Sequence, residues 1–218
     1  GLYLDASFGR GAYSAELLAR APRGSKLLVA VGEGQADPAA VASARGFLDR
    51  AVPAGAAEEG RCTVAGVLPR SLGDVGEALA GQELAGALVD LGAAFLPPGA
   101  ASADDLLRAF SPLADAPLDL RADRQRGVPA SQWLASATVE ELSWVLHAYG
   151  EDDDPLSALR LAEVILDHQR LNGPYRSVSK LADVVRKAKP ATEDKGIHPA
   201  KLVLQALRIF VNGELEQL

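Results

Sequence analysis

The chain has no methionine, a single cysteine and a deficit of positive charge, and each shortage excludes something. One cysteine, Cys62, rules out a disulfide framework within the chain and fits a reducing compartment. At the strand start in which it falls, it reads as a buried packing residue. No apolar run is long enough for a membrane-spanning helix. The first residues carry neither a secretory signal nor an Arg/Ser-rich transit segment. Lacking methionine and starting at Gly1, the chain reads as a mature or trimmed piece of a longer product. A net charge of −7 argues against a general nucleic-acid coat.

What is present suffices for a folded body. Over 218 residues, 48% are hydrophobic, which supports a real core and one large domain or one domain with an insertion. The charge is uneven. Between His168 and Lys201 stand Arg170, Arg176, Lys180, Arg186, Lys187, Lys189, Lys195 and Lys201, opposed by Asp183, Glu193 and Asp194. That stretch is +5 and the remainder −12. Such a stripe can hold phosphates on an otherwise acidic protein, although a solvated helix face has the same composition.

The organisation changes near residue 102. Before it, short apolar runs alternate with helical patterns: strands at 2–5, 26–32, 62–68 and 86–95, helices at 13–20, 37–51 and 71–81. Continuous apolar strands separated by helical crossovers predict a doubly wound, parallel α/β sheet. After it, helices are predicted at 102–110, 129–136, 138–150, 154–171, 177–189 and 198–218. Thr138 and Glu141 form a capping box, and Leu156, Leu159, Leu161, Val164 and Ile165 are expected to share one buried face. Trp133 and Trp144 are expected in the core of this helical part.

The first strand runs into a glycine loop, "LYLDASFGRGAYSAELL". A strand ending in Asp5, then Gly9 and Gly11, then a helix, suits a nucleotide-like ligand, because glycine admits the backbone to the ligand and the helix start offers unpaired N–H groups. A carboxylate at the end of the second strand usually binds ribose hydroxyls; Gly32 is there, and Glu33 follows it as a substitute. Asp90, ending the fourth strand, can face the ligand or its acceptor, or cap a loop.

Together, "YLDASFGRGAYS", "VDLG", "RAFSPLADAPLDLRAD", "WVLHAYGE" and "HPAKLVLQALRIFVNGELEQL" resemble the MraW/RsmH family of S-adenosylmethionine-dependent enzymes, which make N4-methylcytidine in small-subunit ribosomal RNA. The resemblance covers nearly the whole chain in the same order. It implies a Rossmann-like methyltransferase sheet over 1–102, a helical insertion domain over 103–197, and a helix over 198–218 that returns to the first domain. It implies cofactor contacts at Asp5, Gly9, Gly11, Tyr13, Glu33 and Asp90, with Asp90 also the catalytic candidate that orients the amine. It places Asp119 and Arg121 against the target nucleotide and His198 on the RNA side. The basic stripe adds Arg176, Lys180, Arg186, Lys187, Lys189 and Lys201 as RNA contacts.

The departures from the family pattern cluster at the ligand. Ala12 and Tyr13 replace a glycine and a histidine in D-G/A-T-x-G-x-G-G-H-S; Gly32 stands for the ribose aspartate; Leu68 lies near an adenine-flanking aromatic. Ala93, Ala94 and Pro97 replace two serines and a glutamine, and Leu202 an arginine. A charged hydrogen bond to ribose is worth about 1.5–3 kcal/mol and an aromatic flank roughly 0.5–1.5 kcal/mol, so losing both weakens cofactor binding by two to three orders of magnitude. The amino-terminal H-x-P-V-L motif and the S-F-H-S segment of the family are not in this sequence.

Two functions follow from this pattern. One is a pseudo-methyltransferase that needs no cofactor and serves small-subunit assembly, holding rRNA and ribosomal or assembly proteins. The other is an active rRNA cytosine-N4 methyltransferase using S-adenosylmethionine. The first is favoured because several cofactor positions changed together. Such erosion suits a mitochondrion; an active bacterial member would be cytoplasmic. Neither a metal nor a membrane is expected: Asp152, Asp153 and Asp154 read as a helix-capping loop, and His147 and His168 lack metal spacing.

Overall fold

The computed structural model describes residues 1–8, 11–30, 38–52, 62–68, 75–77, 79, 81–90, 112, 116–121, 127–150, 154–188 and 198–217. Two compact units emerge: residues 1–103 with 217–218, and residues 104–216.

The first unit is built on a parallel sheet. Strands β1 (Leu2–Asp5), β2 (Lys26–Ala30), β3 (Thr63–Leu68) and β4 (Gly86–Leu88) lie in the order β3-β2-β1-β4. Asp5 pairs with Val29 on one side and Leu88 on the other. The inner strand β2 is buried on both faces, and its period-2 alternation assigns its side chains to them. Leu27 and Val29 pack with Leu18 of helix α1 (Ala12–Arg20), with Ala44 and Leu48 of helix α2 (Pro38–Ala51), and with Cys62. Leu28 and Ala30 pack on the opposite face with Leu4, Ala6 and Val75. Val75 belongs to a helical turn at 75–77, the described part of the helix expected at 71–81. Cys62 is buried as expected, and burial pushes its thiol pKa up.

The second unit is helical: α3 (Ala130–Ser136), α4 (Val139–Tyr149), α5 (Pro155–Asn172), α6 (Val178–Ala188) and α7 (Ala200–Asn212). The expected capping box starts α4: the Glu141 N–H donates to Thr138 Oγ1 at 3.2 Å and the Thr138 N–H to Glu141 Oε2 at 2.8 Å. Asp154 caps α5, accepting from the Leu156 N–H at 3.1 Å, with Pro155 at the first helical position. The helix expected at 102–110 and the carboxylates of Asp152 and Asp153 lie outside the described residues.

Two expectations for this unit change. The buried face of α5 is Ala158, Leu161, Ala162, Ile165 and Leu166, whereas Leu156 and Val164 are exposed. Spacing of three and four residues decides the face, and the two alanines let α4 approach closely. The helix expected to return to the first domain, α7, falls within the helical unit. Its apolar side, Ala200, Val203, Leu204, Ala206 and Leu207, joins the core of the helical unit with Leu142, Val145, Leu181 and Val185. It also stops at Asn212, short of the expected 218, because Gly213 turns the chain with φ +57° and the Glu214 N–H closes on the Ile209 carbonyl at 3.1 Å.

Candidate functional site

The first candidate lies at the carboxyl end of the sheet. After β1 the chain crosses to α1 on one face, while Val75, on the way to β4, packs on the other. Connections diverging beside neighbouring strands open a crevice there, the usual ligand position in such sheets. Asp5, Ser7, Gly11, Ser14 and Asp90 gather at this point.

Their hydrogen bonds form a relay. Asp5 is fully buried; its Oδ1 accepts from the Ser7 N–H at 3.0 Å and its Oδ2 from the Ser14 hydroxyl at 2.6 Å. Ser7 Oγ accepts from the Asp90 N–H at 2.7 Å, which ties the end of β4 to the loop. A buried carboxylate requires such partners, since a desolvated and unpaired charge costs several kcal/mol. Asp5, expected to touch a cofactor, therefore braces the loop and presents no accessible surface. Ser14, which the sequence reading passed over, is the last residue of the "GRGAYS" motif, so its signal was present.

Gly11 starts α1 with φ +81°. A β-carbon there would lie 2.6 Å from the Phe47 ring and 2.9 Å from Phe8. Those rings meet edge-on at 5.7 Å, so protein fills the space a side chain would take. Tyr13 is 46% exposed on the first turn of α1 and does not join the buried relay. Gly9, Glu33, Ala93, Ala94 and Pro97 lie outside the described residues, as does the Leu68 side chain. Among the described residues, the end of the sheet carries the Asp5–Ser7–Ser14 hydrogen bonds and one half-exposed acid, Asp90.

The second candidate is the corner at 116–121 in the helical unit. Asp119 and Arg121, expected against a nucleotide, pair with each other: Nε to Oδ1 at 2.6 Å and Nη2 to Oδ2 at 3.0 Å. Arg121 Nη1 also donates to the Gly127 carbonyl at 3.3 Å. Between them Leu120 is buried with φ +62°, a left-handed state costing a side-chain residue roughly 1–2 kcal/mol. The Asn212 amide of α7 holds this strained peptide, donating to the Leu120 carbonyl at 2.9 Å and to the Arg208 carbonyl at 2.8 Å. The carbonyls of Leu118 and Asp119 accept from the Ser131 and Ala130 N–H groups at the start of α3. The corner thus caps one helix and is pinned by another. Nearby, Arg208 grips the buried Glu214 at 2.7 and 3.0 Å; burial raises the Glu214 pKa while the guanidinium opposes the rise.

The basic residues divide. Arg176, Lys180, Arg186, Lys187 and Lys201 are exposed, and Lys180 and Lys187, seven apart on α6, share one face. Arg186 lies 3.5 Å from Asp183 on the same helix. His198 is half-buried and its Nδ1 accepts from the Ala200 N–H at 3.2 Å, a helix-start role. Lys189 lies outside the described residues. Among the described residues no group of three or more His, Cys, Asp or Glu could hold a metal, and no helix is long and apolar enough to cross a membrane.

Comparison with known proteins agrees with this architecture. The chain is 35% identical over 223 residues to the ribosomal RNA small subunit methyltransferase H of Shewanella loihica, and 33% over 222 residues to that of Shewanella amazonensis. Each alignment covers all of this chain and 63% of the relative, so the chain spans less than two thirds of their length. The profile of the MraW methylase family matches residues 1–218. A parallel α/β sheet with a glycine loop at its carboxyl edge, joined to a helical unit, is thus carried by a chain that belongs to the MraW methylase family.

Proposed function

We propose that this chain is a small-subunit rRNA-directed protein of the MraW methylase family whose cofactor site is eroded, and that it serves assembly of the small ribosomal subunit. The observation that carries the reading is a scaffold that supports itself. Asp5 is satisfied by Ser7 and Ser14, and Phe8 and Phe47 pack against Gly11, so protein groups brace both described ends of the loop. The residues that would convert this scaffold into a site are replaced in sequence: Gly32, Leu68, Ala93, Ala94 and Pro97 carry no group to bind ribose, stack on adenine or fix an amine. The exposed cations Arg176, Lys180, Lys187 and Lys201 supply phosphate contacts, whose strength falls steeply with salt. Ribosomal and assembly proteins are the proposed partners beside the rRNA, and the same erosion favours a mitochondrial location.

One observation favours a second reading, an active cytosine-N4 methyltransferase. Asp90 is half-exposed two residues beyond β4 and its backbone N–H donates to Ser7 Oγ, which supports a reading in which its carboxylate orients an acceptor amine. When bound, S-adenosylmethionine supplies the methyl group; Asp90 would hold the amine proton and Gly9 and Gly11 would border the cofactor.

Calorimetric titration of the chain with S-adenosylmethionine separates the two. No heat at micromolar concentrations, with salt-sensitive association to small-subunit particles, is expected. Micromolar binding with methyl transfer that is lost in Asp90→Asn would instead establish the enzyme. Cell fractionation tests the location.

A further inference from the structure

In the helical unit, α3, α4 and α7 leave a groove of ≈ 400 Å³ lined by Trp133, Trp144, Phe210 and Val145, with Glu140 and Glu141 at its rim. We propose that it docks a cationic segment of a partner protein, reading one arginine or lysine by its charge and its flat or apolar stem.

Four features support this occupant. Trp144 is 55% exposed, although Leu142, Val145 and Leu146 on the same helix are at most 3% exposed. Core packing therefore does not account for the indole, which was expected inside. Trp133 and Phe210 meet at 4.5 Å with planes 48° apart, and Trp144 is steadied edge-on by Tyr149 at 5.3 Å, so the aromatic walls are set before anything binds. Glu141 is fixed in the capping box, and Glu140 beside it is exposed. Among the described residues, none that lines the groove is basic.

Ring faces attract cations, and carboxylates at the rim add to the attraction, whereas a phosphate would be repelled. Arginine suits the walls best because its guanidinium is planar and weakly hydrated. A neutral apolar ligand would make no use of Glu140. Arginine and lysine are carried on polypeptide, so the occupant is a peptide segment. This surface is chemically the opposite of the exposed cations on α6, so one helical unit offers separate faces to nucleic acid and to a basic protein.

The test is simple because Trp133 and Trp144 are the only tryptophans in the chain. Intrinsic emission of the full chain is followed during titration with a short peptide alternating arginine and leucine, with the same peptide carrying glutamate for arginine, and with a short single-stranded RNA. A saturable emission change with the arginine peptide alone is expected. Trp144→Ala and Glu140→Gln, both at exposed positions, should each weaken binding about five- to tenfold while far-ultraviolet circular dichroism is unchanged. Glu140→Gln should also flatten the salt dependence. The proposal fails if the arginine peptide gives no saturable change or if Glu140→Gln binds it as well as the parent. It also fails if RNA produces the change in place of the peptide. Emission that instead varies with protein concentration and ignores the peptide would assign the groove to a second copy of the chain.

Discussion

The loop after β1 and the corner before α3 solve one problem in two ways. Each turns the chain sharply through a left-handed residue beside an aspartate. In the first unit the residue is Gly11, and Asp5 is buried among hydroxyl and amide donors. In the second it is Leu120, and Asp119 is paired with a guanidinium. Glycine makes the first turn cheap, so it needs little outside support. Leucine makes the second turn costly, so Asn212 and the Arg121 pair must hold it. The difference teaches that the residue at a left-handed position decides how much of the surrounding structure is needed to hold the turn.

The largest expected effect tests the loop. Gly11→Ala adds left-handed strain and a clash with Phe47, and should cost about 3 kcal/mol in urea unfolding followed by circular dichroism. The double variant with Phe47→Ala should recover the clash part; full additivity would show that packing does not fix Gly11. Next comes the corner. Asn212→Ala removes two donated bonds and leaves the Leu120 carbonyl buried, at a cost of about 2 kcal/mol. Tryptophan emission reports this loss, because both indoles lie in the helical unit. A cost below about 0.5 kcal/mol would mean that Leu120 needs no latch.

A third prediction concerns pH. Tyr175 is buried, donates to the Ile165 carbonyl at 2.9 Å, and its phenol pKa is raised by desolvation. The folded state therefore keeps this proton after the unfolded chain has released it near pH ~10. The stabilisation is complete below that pH and is lost as pH rises toward the folded value, by about 1.4 kcal/mol per pH unit. Tyr175→Phe should flatten the alkaline slope by one proton in pH-dependent unfolding. The smallest effect is a control on local structure: Thr138→Ala should cost about 1 kcal/mol by opening the capping box, while the corner stays intact.

Much of the chain was legible before folding. The four strands, the capping box, the Asp154 cap and the change of character near residue 102 depend on periodicity and on neighbours a few residues apart, which sequence displays directly. The site was legible only as residue types. Asp5 and Asp90 were picked out, yet Ser7 joins them across 83 positions, and Ser14 completes the relay. The family resemblance sets Asp119 and Arg121 against a nucleotide; the structure shows the two side chains paired with each other, which motif order does not display. On α5, Leu161 and Ile165 lie on the buried face as expected, while Ala158 and Ala162 take the places expected of Leu156 and Val164.

The sequence by itself determined the parallel α/β order, the helical second half, the glycine loop and the family, since each rests on local pattern or on motif order. Tertiary structure alone decided that Asp5 is spent inside the protein, that α7 packs in the helical unit, that Trp144 stays exposed, and that a leucine is held left-handed by an amide 92 residues away. Burial and long-range hydrogen bonds are set by what the folded chain brings together, and no short window of sequence contains both partners.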